Sequence, residues 1–223
     1  EPIAAIATAL APSALALIRI SGKNCIELLS KVFSRPKALT QAEGNTIVYG
    51  WIVDSVNPDQ KQKIDEVLVS VFRVPKSYTG EEMAEISCHG GISPVTAIFN
   101  LLLKNGFRTA LPGEFTFRAF INGKTDLTKS EAVKEIIDSK TDASRSLAAG
   151  RLSGNLYNEI QSIKEKIIST IASIEVELEY PEDEENFSDS FDSTLLLQAK
   201  NSLTELSKSW QSPETESLVE LRR

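Results

Sequence analysis

The feature that most restricts the fold of this chain is a change in the period of its apolar residues near residue 118. Before that point short apolar runs alternate with polar turns, as strands do. After it, apolar residues recur every three or four positions, as on one face of a helix. The sequence therefore predicts an α+β domain over 1–118, a mixed sheet with helices, followed by an antiparallel helical bundle over 119–223. In the first part, "IAAIAT" and "ALALIRI" read as strands on either side of Pro12. Residues 46–74 read as a hairpin turning through "SVNPDQKQK", and "MAEISCHGG" reads as a strand entering a glycine turn. One helix is predicted at about Lys23–Phe33. Another runs from an N-cap at Ser93, with Pro94 first in the helix, to Gly106, and turns Val95, Ile98, Leu101 and Leu102 inward.

In the second part, Thr128 and Glu131 have the spacing of a capping box, with Leu127 placed to staple onto Ala132. Val133, Ile136, Ile137, Leu147, Ala148 and Leu152 follow as one apolar stripe. Ile160, Ile163, Ile167, Ile171, Ile174 and Leu178 then form a heptad-like seam that Pro181 ends, and Leu196, Ala199, Leu203, Leu206 and Trp210 form a third stripe. Three antiparallel helices are predicted, and these stripes are core. The closing "SPETESLVELRR" is polar and carries no helix signal. A chain opening at Glu1 without Met suggests that its native start lies elsewhere.

Composition excludes several functions. Residues 1–118 carry 12 Lys+Arg against 11 Asp+Glu, and 119–223 carry 12 against 20. Neither part has the clustered positive charge of a primary nucleic-acid surface. The longest apolar runs are broken by Arg19, Arg73 or Lys104, too early to span a membrane. One His and two Cys make a His/Cys zinc site improbable, and Cys25 and Cys88 read as buried free thiols of a reducing cytosol. There is no P-loop, no G-x-G-x-x-G and no G-x-S-x-G pattern.

Chemistry has few places to sit. Arg19 interrupts a strand that otherwise reads as buried, and Glu85 does the same in "MAEISC". A charge in such a place is paired or faces a cleft. The two residues either bridge neighbouring strands or line a site, and Lys124, just past the turn "NG", is a third candidate. His89 reads as a turn residue bonded to backbone. In the dense stretch "LPGEFTFRAFINGKTDLTKSEA", Glu114 and Arg118 read as a local structural pair. Phe115, Phe117, Phe120 and Ile121 are expected to close the joint between the two parts.

"YTGEEMAEISCHGG", "LPGEFTFRAFINGKTDLTKSEAV", "RLSGNL" and the acidic "YPEDEENF" occur in an order and spacing that resembles the tRNA-modification GTPase family (MnmE/TrmE). The resemblance implies a tetrahydrofolate-binding and dimerising N-terminal domain, similar to the folate-binding part of the glycine-cleavage aminomethyltransferase. The first part of a helical domain follows it. It implies a folate of the 5,10-methylene or 5-formyl form contacted by Arg19, Glu85 and Lys124. GTP, magnesium and potassium would be handled by a G domain outside these residues, where the GTPase catalytic residues would also lie. The implied partners are a second copy of the chain, an FAD-dependent protein (MnmG) and tRNA, in the cytoplasm, with no membrane. The implied reaction places an aminomethyl or carboxymethylaminomethyl group on C5 of the wobble uridine. Two other readings are a folate-dependent aminomethyltransferase and a non-enzymatic dimerisation scaffold. This chain has "ALAPSALAL" where many members of the family carry a glycine-rich turn, which removes close-approach backbone there.

Overall fold

The computed structural model describes residues 1–57, 60–179 and 193–220. By backbone contacts the chain divides into two compact units, Glu1–Thr125 and Asp126–Arg223.

The first unit is a six-stranded mixed sheet with helices. Its strands are β1 (Ile3–Ile6), β2 (Leu15–Ser21), β3 (Thr46–Asn57), β4 (Gln60–Phe72), β5 (Met83–His89) and β6 (Arg108–Thr109). They lie in the order β3-β4-β5-β2-β1-β6, and only the β1–β6 pair is parallel. Strand alternation places the core. Ala16, Ile18 and Ile20 of β2, Ala84, Ile86 and Cys88 of β5, and Val67, Val69 and Val71 of β4 are buried on one face. They pack with Ile26 and Leu29 of α1 (Cys25–Ser30), Leu39 of α2 (Pro36–Thr40), and Val95, Ile98, Leu101 and Leu102 of α3 (Ile92–Lys104). Fully burying each Ile, Leu or Val side chain among them stabilises by about 1.5–3 kcal/mol. The odd-numbered residues of β2 and β5 fall on the opposite face, which carries Arg19 and Glu85 together with exposed Leu15, Ile47, Tyr49 and Leu68.

Several local expectations are corrected. The first helix is only Cys25–Ser30, because Phe33 turns away to bridge Ile52. α2 was not foreseen. α3 is capped by Gly91 rather than Ser93: Gly91 is extended, and its carbonyl accepts the Val95 amide. The hairpin strands run to Asn57 and resume at Gln60, through most of the polar segment read as turn. Pro58 and Asp59 lie outside the described residues. The first unit extends beyond residue 118 because α4 (Glu114–Ile121), which contains that position, is held to the sheet by ion pairs described below.

The second unit is helical, and its described residues form four helices rather than three: α5 (Leu127–Asp138), α6 (Asp142–Ser153), α7 (Asn155–Glu179) and α8 (Thr194–Glu220). The single stripe expected from Val133 to Leu152 is split between α5 and α6. Thr141 ends the first helix by capping the second, with a reciprocal capping box to Ser144, and Gly154 closes α6 at φ 99°. Arg151 then pairs with Glu135 across α5 and α6. The α5 cap is Asp126, not Thr128, since the Asp126 carboxylate accepts the Lys129 amide and the Thr128 hydroxyl donates to it. Leu127 stays exposed rather than stapled, as do Ile137 and Leu147. In the seam of α7, Ile163 and Thr170 are buried but Ile160 and Ile171 are 38% and 49% exposed, so the stripe is covered only in part. Ala199 of α8 is buried, while Leu196 and Leu203 line an apolar groove with Ile167 of α7. The α8 backbone continues to Glu220, through the segment expected to lack helix. The side chains of Leu178 and Trp210, Pro181 and the acidic "YPEDEENF" lie outside the described residues. No helix among the described residues is long and apolar enough to cross a membrane.

Candidate functional site

Arg19 and Glu85 are direct cross-strand partners in the β2–β5 ladder. Alternation turns both away from the core, so their side chains meet. Arg19 places Nε 2.9 Å and Nη2 2.7 Å from one carboxylate oxygen, Glu85 Oε1. Glu85 Oε2 has no hydrogen-bond partner among the described residues, and the pair is 31% and 21% exposed. Two aromatic rings flank the guanidinium, Tyr78 at 5.6 Å and Phe115 at 5.7 Å from ring centroid to Arg19 Cζ. Both distances lie within cation–π range. The ion pair anticipated from the two interrupted strands is thus present, with one acceptor left over.

The loop 75–81 carries Tyr78 and is fixed from several sides. Its Thr79 is fully buried, with its hydroxyl 2.7 Å from that of Ser21, while Asn122 Nδ2 donates to the Thr79 carbonyl at 2.7 Å. The Tyr78 and Thr116 hydroxyls lie 2.9 Å apart. Lys124 sits on the same loop: its Nζ donates to the Pro75 carbonyl at 3.0 Å, and its stem covers Gly80. Gly80 has φ 76°, and a Cβ there would stand 3.1 Å from Lys124 Cγ. Only glycine combines that backbone with that contact. Of the three residues singled out from the sequence, Arg19 and Glu85 touch. Lys124 contacts the 75–81 loop at Pro75 and Gly80, and the same loop carries Tyr78 to Arg19.

Glu114 and Arg118 are local partners, as read from the sequence, and they belong to a wider network. Glu114 receives Arg108 through both oxygens, at 2.6 and 2.9 Å, Arg118 at 3.0 Å and the Leu111 amide at 2.8 Å. Arg118 continues to Glu81, which also accepts from Ser21. Hydrogen bonding from Arg108 above all holds the Glu114 carboxyl well below its ordinary range, at about 2. This network, not apolar packing, seats α4. Ala119 is its one buried residue, and Phe117, Phe120 and Ile121 are exposed. Phe115 alone of that group has a defined task, against Arg19.

His89 is bonded to a carboxylate, not to backbone. Nδ1 lies 2.7 Å from Asp65 Oδ1, and its own amide donates to Oδ2 at 2.8 Å. The Asp65 carboxylate raises the imidazole pKa, first through this hydrogen bond and then through its charge. The turn containing "ALAPSALAL" docks here, its Ser13 amide donating to the Gly90 carbonyl. Cys25 and Cys88 are buried free thiols. Burial pushes Cys25 far up and Cys88 up to about 11. No group of three or more metal-ligating side chains occurs among the described residues. Tyr78, Phe115 in its contact with Arg19, and Asp65 were not foreseen. The aromatic residues beside interrupted strands were the available signal for the first two.

Fold and site together define a two-part class: a mixed-sheet domain with a charged, aromatic-flanked site, followed by a helical region. A family profile described as the GTP-binding protein TrmE N-terminus matches residues 2–124, and one described as the MnmE helical domain matches residues 127–219. The chain belongs to the MnmE family of tRNA modification GTPases. Among curated relatives bearing that description, the one from Treponema denticola is 54% identical over 94% of this chain and 44% of its own length. Those from Treponema pallidum and Borreliella burgdorferi are 43% and 45% identical over 95% of this chain. The chain spans 42–44% of the length of these relatives.

Proposed function

We propose that this chain is the folate-binding and self-associating part of a tRNA modification GTPase, with Glu85, Arg19 and Lys124 as its ligand contacts. The observation that carries the reading is the open acceptor of Glu85. Arg19 occupies Oε1 alone and leaves Oε2 free beside two aromatic rings. A pterin presents adjacent N–H donors on one edge, which suit a carboxylate. Arg19 orients that carboxylate, and the Arg19 guanidinium offers a cation to carbonyl or carboxylate groups of the ligand. Lys124, bonded to the 75–81 loop at Pro75, supplies a second cation once its ammonium exchanges the Pro75 carbonyl for a ligand anion. The bound group is a tetrahydrofolate carrying a one-carbon unit, as 5,10-methylene- or 5-formyl-tetrahydrofolate. When bound it supplies that unit, and the residues here bind and orient it. No catalytic base is assigned.

The wider activity proposed is the one the family resemblance implies. A homodimer acts with an FAD-dependent partner (MnmG) on tRNA in the cytoplasm. It places an aminomethyl or carboxymethylaminomethyl group on C5 of the wobble uridine, while a G domain hydrolyses GTP with magnesium and potassium. The exposed sheet face with Leu15, Ile47, Tyr49 and Leu68 supports self-association. Similarity to the folate-binding part of the glycine-cleavage aminomethyltransferase is part of this proposal. Calorimetric titration of the chain with 5-formyl-tetrahydrofolate tests it. Wild type binds saturably and Glu85→Gln loses most of the affinity at an unchanged melting temperature. A wild-type chain that binds no folate leaves only the dimerising-scaffold reading.

A further inference from the structure

We propose that Tyr78 and Phe115 are ligand-contacting residues, the stacking walls that receive the flat bicyclic ring of the ligand seated at Glu85. The inference rests on the folate reading above and names how the ring, rather than its hydrogen-bonding edge, is recognised.

One side chain, Arg19, has an excess of partners. Arg19 already has a carboxylate on two of its nitrogens, yet two aromatic rings also stand at 5.6 and 5.7 Å from its guanidinium carbon. A cross-strand ion pair, here 31% and 21% exposed, needs no such cage to persist in a sheet. The rings are also poorly used by the core. Tyr78 is 39% exposed, and among the described residues its hydroxyl meets only the half-buried Thr116 hydroxyl. Neither ring belongs to the apolar cluster on the other face of the sheet. Their positions are nevertheless fixed. Tyr78 rides on a loop anchored at Thr79 by Ser21 and Asn122, and Phe115 rides on α4, held by the Arg108–Glu114–Arg118 network. Preset aromatic walls with exposed surface, beside an open carboxylate oxygen, meet the needs of a planar ring that carries N–H donors on its edge. The edge is read by Glu85 Oε2 and the ring face rests on an aromatic wall, as nucleobases rest on such platforms. The guanidinium, itself planar, completes the slot.

The test uses the full chain, 5-formyl-tetrahydrofolate and three variants. Tyr78→Leu and Phe115→Leu keep apolar bulk and remove the ring, while Tyr78→Phe keeps the ring and removes the hydroxyl. Loss of one stacking ring is expected to weaken binding about tenfold. Tyr78→Leu and Phe115→Leu show that loss with melting temperatures near wild type, and Tyr78→Phe binds like wild type. Equal affinity in wild type and both leucine variants overturns the inference and leaves the Glu85 reading standing. A wild-type chain that gives no binding overturns both. Should a leucine variant fail to fold, wild-type protein with labelled Tyr and Phe rings decides the matter. Nuclear Overhauser contacts between the ligand bicycle and the rings of Tyr78 and Phe115 support the inference, and their absence in a saturated complex overturns it.

Discussion

Replacing Glu114 with glutamine removes the charge on which two guanidinium groups converge. The carboxyl is held from an ordinary 4.5 down to about 2, chiefly by Arg108, with the Leu111 amide and Arg118 adding to it. At about 1.4 kcal/mol per pKa unit the full effect is at most roughly 3.5 kcal/mol. The Arg108 side chain is 36% exposed, however, so solvent screening reduces this to about 1–2 kcal/mol. The sign is fixed by linkage. A depressed carboxyl contributes stability that is whole above the unfolded value near 4.5 and disappears as pH falls through about 2. Urea unfolding followed by Trp51 fluorescence, which reports on the sheet unit, provides the assay. Glu114→Gln is expected to lose about 1–2 kcal/mol at pH 7, and the difference from wild type is expected to close between pH 4.5 and 2. Equal stability at pH 7, or a difference that persists undiminished below pH 2, would refute the claim that this network seats α4.

Three further outcomes follow from the same geometry. Gly80→Ala combines a φ of 76° with a Cβ 3.1 Å from Lys124 Cγ, so it costs about 1–2 kcal/mol and weakens folate binding by displacing the loop that carries Tyr78. Chemical denaturation and calorimetry check both effects. Asp65→Asn lowers the titration midpoint of His89 seen by NMR. Because that pKa is raised in the folded protein, the stability lost in the variant is greatest below pH 6.5 and shrinks as pH rises through the folded value. Cys25 and Cys88, buried and with raised pKa, resist an alkylating reagent at pH 8 until the chain is unfolded, as mass spectrometry would record.

Strands were the most legible elements because alternation declares them. The even positions of β2 and β5 are apolar, and this fixes which face takes Arg19 and Glu85. What alternation cannot supply is register, and register is what sets Arg19 opposite Glu85 rather than one residue away. Element ends were harder. In "KTDLTKSE" both Asp126 and Thr128 are good caps, and the choice of Asp126 follows from its extended backbone, not from residue type. The boundary of the first unit was hidden for a different reason. α4 looks like helical-half sequence, yet its partners are Arg108 and Glu81, which lie elsewhere in the chain. The apolar spacing of α7 promised a continuous seam, but spacing alone does not say how many neighbours cover it, and Ile160 and Ile171 stay exposed. The cage of Tyr78 and Phe115 around Arg19 joins three distant segments and leaves no periodic trace.

The central claim is that the unpaired oxygen of one strand carboxylate, presented by its arginine neighbour, takes hold of a reduced pterin. A crystal structure of the chain soaked with 5-formyl-tetrahydrofolate measures this directly. Ligand ring nitrogens are expected within hydrogen-bonding distance of Glu85 Oε2 while Arg19 keeps Oε1. Ligand bound elsewhere, with the Arg19–Glu85 pair untouched and Oε2 facing only water, would contradict it.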